Sequence, residues 1–447
     1  MNKNEKKALL PALRFPGFRD KGNWETRELR KLVTIINEKT GNNKFTPMSI
    51  SSGLGLVSQI EKFGREIAGS QYKNYFVIRK FNFAYNKSAT KEYPEGYIAM
   101  YSGKEPAAVP NSIFICFKVI DDNVSPQYLN YLFLGNLHGK WIKKYIMVGA
   151  RAHGSFNIDN EDLLSLPIPL PLGEWSHNEQ QKIADCLTSI DDTITTQTQK
   201  LDALIAHKNG LMQQLFPAEG ETAPKLRFPE FRDKGEWKSE LFRDIYSFQT
   251  TNSLSRDKLD YKRGSVKNIH YGDIHTKFST LFDIEKEVVP YIGSTVSTEK
   301  MKPESFCIEG DMIFADASED TDDIGKSIEI VSLNNEKLVS GMHTLLARQK
   351  KKKLIIGFSG YLFNSNRIRE QIKKEAQGTK VFGISATHLL SVELTYPPDE
   401  KEQEKITDCL TSIDKLITAQ TQKLDALRAH KKGLMQQLFP AMDEGDE

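Results

Sequence analysis

The chain has 447 residues, of which 39% are hydrophobic and 27% are charged, and its formal net charge is +2. This length supports two to four domains, and the small net charge does not by itself indicate a nucleic-acid partner. No stretch reaches the roughly 20 consecutive apolar residues of a membrane span, and the charged start Met-Asn-Lys-Asn-Glu-Lys-Lys is unlike a signal peptide, so we expect a cytoplasmic protein.

A short phrase near the start of the chain returns in its middle. Residues 13–24 read Leu-Arg-Phe-Pro-Gly-Phe-Arg-Asp-Lys-Gly-Asn-Trp, and residues 226–237 repeat 10 of these 12. A longer segment, 179–217, returns as 402–440 with 32 of 39 positions identical and no gap. The stretches between phrase and segment are far less alike. Because internal repeats fix an architecture, the sequence indicates two near-identical frames that hold two different inserts.

The first insert, roughly 25–175, carries apolar runs typical of β-strands, such as 75–78 and 113–117, and a helical pattern near 126–144. Over 25–178 it has 18 Lys and Arg against 14 Asp and Glu, so a DNA-binding surface would have to be local. Cations neutralise phosphates, and Arg or Ser side chains can bond base edges. Two groups are therefore candidate DNA contacts: Arg79, Lys80 and Lys87, near Tyr85 and Tyr93, and the loop residues Arg151, His153 and Ser155. For the loop, an ordinary connection is an equal alternative.

The repeated segment predicts a long helix. From 179 to 216 there is no proline, and the apolar residues recur at alternating spacings of three and four, the heptad pattern of a coiled coil. In the first copy these residues are Ile183, Leu187, Ile190, Ile194, Leu201, Leu204, Leu211 and Leu215. The Phe-Pro pairs at 216–217 and 439–440 should end both helices.

The two repeated helices carry the same apolar stripe, so they should pack on each other through these stripes. An antiparallel pair lets each helix carry its own insert at its N-terminal end, and it would bring Gln197 beside Gln420. Such a buried polar pair fixes the register of a coiled coil at some cost in stability. The alternative is that each glutamine is tolerated near an exposed seam.

The second insert, roughly 238–398, has strand-like runs at 312–314 and 327–331 and a helical pattern near 360–375. Over 238–400 it has 23 Lys and Arg against 24 Asp and Glu, so here too a basic surface would be local. The candidate phosphate contacts are the run Lys350, Lys351, Lys352 and Lys353, for which a solvated turn is an equal alternative. Thr379 and Lys380 lie in the loop that corresponds to 149–155 and are further candidates. His343 has no partner at catalytic spacing, and we predict no chemical role for it.

These patterns predict a mixed α/β (α+β) fold with an internal pseudo-twofold repeat. Two globular domains would be separated by an antiparallel coiled coil of two long helices. The predicted divisions are 1–175 for the first domain, 176–217 for the first helix, 218–237 for a linker with the repeated phrase, 238–398 for the second domain, 399–440 for the second helix and 441–447 for a disordered tail.

The sequence shows no sign of an active site. The phosphate loop GxxxxGK[ST] is absent, and the four cysteines form no zinc-binding spacing. The acidic run 319–323 lacks the spacing of a calcium loop, because Ile324 stands where an oxygen ligand is expected. We therefore predict neither a catalytic residue nor a metal ligand in this chain.

Three phrases recur in both frames: Glu-Gln-x-Lys-Ile at 179–183 and 402–406, Leu-Thr-Ser-Ile-Asp at 187–191 and 410–414, and Gln-Gln-Leu-Phe-Pro at 213–217 and 436–440. Together with Leu-Arg-Phe-Pro-x-Phe and the proline-rich exit of the first insert, this arrangement resembles the specificity (S) subunit of type I restriction–modification enzymes. The resemblance covers nearly the whole chain.

The resemblance implies that each insert is a target recognition domain reading one half of a split, asymmetric site in double-stranded DNA. It also implies that the helices set the spacer and bind two modification (M) subunits, through which restriction (R) subunits join. S-adenosylmethionine, ATP and magnesium would then belong to these partners, and this chain would be a non-catalytic subunit that binds no cofactor. The alternatives are a coiled-coil adaptor between proteins and an S-like subunit of another type of restriction enzyme.

Overall fold

The computed structural model describes residues 9–51, 54–88, 93–145, 158–378 and 380–442. The chain folds into two compact units, one formed by 1–198 with 422–447 and the other by 199–421. Each long helix therefore contributes one part to the first unit and one part to the second. The end of the predicted disordered tail, 443–447, lies outside the described residues.

The first unit contains two four-stranded sheets. One sheet is antiparallel, and its strands in spatial order are Val33–Ile35, Phe114–Val119, Phe83–Asn86 and Tyr97–Met100. The other is mixed and consists of Gly55–Ser58, Thr46–Ser51, Ala107–Val109 and Phe76–Ile78. The helices are Gln59–Phe63, Pro126–Leu134, Leu137–Ile142, Asn160–Leu164, the first part of Ser176–Leu215 and the last part of Glu400–Leu438, with short 3-10 turns at Pro16–Phe18, Leu29–Lys31 and Ser70–Asn74.

The second unit contains a five-stranded and a four-stranded sheet. The larger sheet has the order Tyr246–Gln249, Thr344–Gln349, Met312–Ala315, Ser327–Ser332 and Leu281–Asp283. The smaller has Leu259–Asp260, Tyr291–Ile292, Lys267–Ile269 and Leu338–Ser340, and a separate pair joins Ala317–Ser318 to Phe382–Gly383. The helices are Phe242–Ile245, Tyr271–Thr276, Phe358–Phe363, Asn366–Glu375, Ala386–Leu389, the last part of Ser176–Leu215 and the first part of Glu400–Leu438, with 3-10 turns at Pro229–Phe231, Arg256–Lys258 and Pro303–Ser305. The mixed α/β prediction is confirmed, and the predicted strand-like runs lie on strands.

Each insert is closed at its base by a two-stranded antiparallel pair made from its own first and last strands. Trp24–Glu28 pairs with Pro167–Pro171 in the first unit, and Lys238–Leu241 pairs with Glu393–Tyr396 in the second. The prolines at 167, 169 and 171 fit this arrangement because a strand with a neighbour on one side leaves alternate N–H groups unbonded. The two ends of each insert are thus held together where it meets its helix.

The long helices, Ser176–Leu215 and Glu400–Leu438, run in opposite directions within each unit. In the first unit the beginning of the first helix shares a core with the end of the second, through Leu187 and Leu438. In the second unit the roles are exchanged, through Leu215 and Leu410. The predicted antiparallel packing is therefore confirmed within each unit. Gln197 and Gln420 belong to different units, and their pairing stays a prediction.

Candidate nucleic-acid interface

Each opening phrase is fixed to its long helix by a buried ion pair. In the first unit, Arg14 donates from Nε and Nη2 to the two carboxylate oxygens of Glu179, both at 2.7 Å. In the second, Arg227 bonds Glu402 in the same way at 2.7 and 2.8 Å. Both glutamate side chains are only 1% exposed. A bidentate guanidinium–carboxylate pair fixes orientation as well as distance, so the phrase is held rigidly on the helix.

The two ion pairs differ in one contact. The indole Nε1 of Trp237 donates to Glu402 at 3.2 Å. In the first unit, the indole Nε1 of Trp24 is buried and finds no hydrogen-bond partner among the described residues. The carboxylate of Glu402 therefore has one more side-chain donor than that of Glu179.

The glutamine that follows each buried glutamate bonds to the backbone of its own domain. Each side-chain amide accepts an N–H and donates to a carbonyl oxygen of the domain at 2.9–3.0 Å: Gln180 with Ser125 and Asn123, and Gln403 with Ile355 and Lys353. Gln403 also donates to the carbonyl oxygen of Pro397 at 2.9 Å, and Gln180 to the hydroxyl of Ser176 at 3.0 Å. Because the bonded groups of the domain are backbone atoms, this contact does not depend on which side chains the insert carries.

A tyrosine of each insert completes the junction. Its hydroxyl donates to an aspartate of the repeated Leu-Thr-Ser-Ile-Asp phrase, at 2.9 Å from Tyr131 to Asp191 and at 2.7 Å from Tyr361 to Asp414. A lysine of the other long helix pairs with the same carboxylate at 2.6 Å in both units, Lys431 with Asp191 and Lys208 with Asp414. Burial and the neighbouring carboxylate raise the pKa of both tyrosines, which keeps the hydroxyl protonated as a donor.

We call these residues the junction frame: Arg14, Glu179, Gln180, Asp191 and Lys431 in the first unit and Arg227, Glu402, Gln403, Asp414 and Lys208 in the second. All ten lie in the repeated phrase at 13–24 and 226–237 or in the repeated segments 179–217 and 402–440. The same set of contacts thus presents two different inserts in the same way, and base-reading residues would have to be on the inserts themselves.

Of the candidates in the first insert, Arg79 is already paired. Its guanidinium donates to both oxygens of Glu38 at 2.6 and 2.7 Å, and this hydrogen bond raises the pKa of Arg79. Lys80 lies over the ring of Phe81, 4.9 Å from its centroid, and Lys87 is half-buried. Tyr85 is fully buried and donates to the carbonyl oxygen of Glu95, so its ring is not available to a basic-aromatic surface. The aromatic and β-type residues of its strand pack inward instead.

The four-lysine run of the second insert lies against the junction frame. The ammonium of Lys350 donates to the carbonyl oxygen of Arg243 at 2.6 Å. Lys353 pairs with the carboxylate of Glu240, and its carbonyl oxygen accepts the amide of Gln403. Lys351 and Lys352 are exposed, and the phosphate-binding role of the run stays a prediction.

The loop candidates are only partly described. Arg151, His153, Ser155 and Thr379 lie outside the described residues. Lys380 is exposed and stands two residues before the strand Phe382–Gly383. A DNA-binding role for each of these residues stays a prediction.

The structure gives His343 neighbours that its sequence position does not reveal. Its Nδ1 lies 3.1 Å from Oδ1 of Asp316, and its ring centroid lies 5.3 Å from that of Tyr271. His343 also has a positive φ of 55°, which is uncommon for a residue other than glycine. The three residues are far apart in sequence, so only the Gly-Met-His turn before the strand Thr344–Gln349 could have drawn attention to this position.

Among the described residues, no group of three or more His, Cys, Asp or Glu side chains is arranged to hold a metal ion. The helices of the described chain include none that is long and apolar enough to cross a membrane.

Comparison with known sequences identifies similar proteins along almost the whole chain. The family described as "Type I restriction modification DNA specificity domain" matches residues 21–206 and 243–429. The MjaX type I restriction enzyme specificity subunit of Methanocaldococcus jannaschii is 25% identical over 433 residues, which cover 93% of each chain. The MjaVIII specificity subunit of the same organism is 23% identical over 330 residues, covering 72% of this chain and 70% of that one.

Two solved structures share the fold. The S subunit of a type I restriction–modification system from M. genitalium superimposes with a TM-score of 0.55 at 13% identity, covering 97% of this chain and all of that one. A chain from a type I R-M system, determined to explain its complex assembly and conformational transition, gives a TM-score of 0.55 at 14% identity and covers 94% of this chain and 98% of its own length.

Proposed function

The chain belongs to the type I restriction–modification DNA specificity family, and from this premise we propose that its two inserts read the two halves of a split, asymmetric DNA site. The observation that carries the proposal is the junction frame, which presents two different domains through the same contacts. Their sheets differ, four and four strands against five and four, so the surfaces offered to DNA differ as well. A symmetric frame with unequal reading domains fits a site whose halves are unequal.

The two long helices would set the distance between the half-sites and bind two modification subunits. Several exposed residues are identical in the two copies although packing does not constrain them. They include Lys182 and Lys405, Asp185 and Asp408, Ser189 and Ser412, and His207 and His430. The segments 179–217 and 402–440 differ at seven positions, and five of these are exposed in both copies. The exposed residues that are identical therefore mark specific stretches of helix surface rather than the whole of it. Two equivalent surfaces would accept two copies of one partner.

The chain itself would contribute recognition and no catalytic group. S-adenosylmethionine, ATP and magnesium would be bound by the modification and restriction subunits, which join the complex through the helices. The absence of a GxxxxGK[ST] loop from the sequence supports this division of roles. The complex would act on DNA in the cytoplasm.

Methylation mapping tests the proposal. The chain is expressed with its modification subunits in a host that lacks other methyltransferases, and the modified sites are sequenced. We expect one bipartite, non-palindromic motif with a fixed spacer. Unselective methylation would contradict DNA reading by this chain, and sequence-independent binding of the purified complex would favour a protein–protein adaptor. Purification with subunits of a different enzyme type would instead identify an S-like protein of that type.

A further inference from the structure

One surface of the second unit combines cations, imidazoles and phenols. It consists of Arg256, Tyr261, His270, Tyr271, Lys277 and His343, and we call it the histidine–tyrosine surface. Tyr271 lies at its centre, with ring centroids 4.7 Å from His270 and 5.3 Å from His343. These residues come from three separate parts of the insert, so the surface is a product of the tertiary fold.

A buried carboxylate fixes the two cations of this surface. Oδ1 of Asp273 accepts from Nη2 of Arg256 at 3.1 Å and from Nζ of Lys277 at 2.8 Å, and the Asp273 side chain has no exposed area. Gly272 leaves room for the guanidinium, because a Cβ there would lie 2.9 Å from Arg256 Nη2. The arginine and lysine side chains are nevertheless 48% and 47% exposed. Arg256 and Lys277 carry two positive charges and Asp273 carries one negative charge, so the three side chains together are positive. Asp273 also orients the two cations, whose remaining N–H groups can donate to a ligand.

An exposed aromatic ring extends the cationic part. The ammonium of Lys277 lies 5.6 Å from the ring centroid of Tyr261, and the Tyr261 side chain is half exposed. The acidic run at 319–323 lies nearby in sequence to Asp316, but Asp322 pairs with Lys373 and Asp323 with Lys326. The negative charge of the acidic run is therefore partly neutralised within the domain.

His343 supplies a directional hydrogen-bonding group. Because a carboxylate only accepts, the 3.1 Å contact with Asp316 places the ring hydrogen on Nδ1. In the neutral ring this leaves Nε2 as an acceptor. The histidine side chain is 53% exposed, and its left-handed backbone is held by the Asp316 N–H, which donates to the His343 carbonyl oxygen at 3.1 Å. A sparsely populated backbone conformation that the surroundings enforce is typical of a functional position.

We propose that the histidine–tyrosine surface is the DNA contact of the second recognition domain. Arg256 and Lys277 bind backbone phosphates, and Nε2 of His343 accepts a hydrogen bond from the exocyclic amino group of an adenine or cytosine in the major groove. Phosphate contacts position a protein on DNA and base contacts specify the sequence, so the two parts have different roles. This inference rests on the proposed function and replaces the four-lysine run as the main contact of this domain.

The experiment uses the complex of the full chain with its modification subunits and DNA duplexes that carry the mapped site. Removing one phosphate contact weakens binding to every sequence. It also reduces the slope of the logarithm of the binding constant against the logarithm of the salt concentration, by roughly one unit per contact. We expect this for Arg256→Gln and for Lys277→Gln. Loss of a base contact costs discrimination at one base pair by roughly 5- to 150-fold. We expect this for His343→Ala, at one position of the second half-site only.

Lys238→Gln is the matched control, because it removes an exposed lysine of the same insert on the base strand Lys238–Leu241. Lys351→Gln tests the competing four-lysine run. Thermal unfolding of each complex verifies folding, and Tyr261→Ala, a change at a half-exposed ring, provides a second probe of the surface if the Arg256 variant does not fold. We expect Tyr261→Ala to weaken binding, because the ring next to Lys277 is lost. Unchanged affinity and salt dependence of binding in the folded Lys277 and Tyr261 variants would overturn the inference. A loss of affinity from Lys351→Gln larger than that from Lys277→Gln would overturn it as well. A wild-type complex that fails to distinguish a duplex with a scrambled second half-site would instead overturn the proposed function.

Discussion

The junction frame contains a natural comparison between two nearly identical ion pairs. Arg14→Ala removes the guanidinium from Glu179, and Arg227→Ala removes it from Glu402. The pairs have the same geometry and the same burial, with arginine side chains 8% and 9% exposed and both glutamates 1% exposed. Each arginine also donates from Nη1 to a carbonyl oxygen of its own phrase at 2.6 Å. The difference lies in the indole, which donates to Glu402 and not to Glu179.

The expected magnitudes follow from this difference. Removing one partner of a buried ion pair costs about 3–5 kcal/mol, because the other charge is left buried and unpaired. A hydrogen bond to a charged group contributes about 1.5–3 kcal/mol. After Arg227→Ala, Glu402 keeps its bond from Trp237, whereas Glu179 has no comparable side-chain donor after Arg14→Ala. We therefore expect Arg14→Ala to destabilise its unit by about 1–2 kcal/mol more than Arg227→Ala destabilises the other.

Hydrogen exchange read by mass spectrometry can measure the two units separately, because exchange-protected peptides report the opening free energy of the region that contains them. Arg30→Ala is the control, since the Arg30–Glu161 pair is largely exposed and should contribute less than about 1 kcal/mol. Adding Trp237→Phe to Arg227→Ala should remove the advantage of the second unit. Equal losses in the two arginine variants, or losses no larger than that of Arg30→Ala, would refute the reasoning.

Four further predictions concern pH, modularity and spacing. Burial raises the pKa of Glu329 to about 8, although two glycine N–H groups donate to its carboxylate and oppose the shift. The free energy of unfolding of the second unit should therefore fall by up to about 5 kcal/mol as pH rises from 4.5 toward 8. Glu329→Gln should abolish this pH dependence, measured by hydrogen exchange corrected for intrinsic rates. Burial lowers the pKa of His138 to about 4, so the first unit should instead lose stability as pH falls from 6.5 toward 4, and His138→Phe should remove that dependence. Replacing 25–175 by another recognition domain should change one half-site in the methylome, and a changed second half-site would contradict the modular arrangement. Four residues inserted after Gln197 add about 6 Å of helix and a stutter in the heptads, so mapped sites should gain one or two base pairs of spacer; an unchanged spacer with retained activity would show that the helices do not set it.

The long helices were predictable because their signal is local and repeated. Heptad spacing alone predicts where an apolar stripe lies, and the structure has helices at Ser176–Leu215 and Glu400–Leu438 that end before the Phe-Pro pairs. The helical patterns inside the inserts predicted helix position but not where the helices are interrupted. The pattern near 126–144 is split into two helices by Gly135 and by Asn136, which has a left-handed backbone with φ of 58°. A break of that kind depends on packing and leaves little trace in periodicity.

Candidate DNA contacts were predictable only where charge is dense in sequence. The four-lysine run is conspicuous, yet Lys350 and Lys353 are engaged by neighbouring groups of the domain. The pairing of Arg256 with Asp273 joins residues 17 positions apart, and that of His343 with Asp316 joins residues 27 positions apart. No local pattern encodes such pairs, because they form only when separate parts of the insert meet in the folded domain.

The junction frame explains in physical terms how one chain can tolerate divergent inserts. Gln180 and Gln403 bond backbone N–H and carbonyl groups, which every insert possesses regardless of its side chains. Among the described residues, the insert bonds a frame carboxylate through a tyrosine hydroxyl, from Tyr131 or Tyr361. Each of these tyrosines begins a Tyr-Leu-Phe sequence within otherwise dissimilar helices. An insert that supplies this tyrosine and a loop of the right shape satisfies the buried polar groups of the frame. Its remaining surface is then free to change without leaving a charge unpaired, so a new DNA sequence can be read without redesigning the helices.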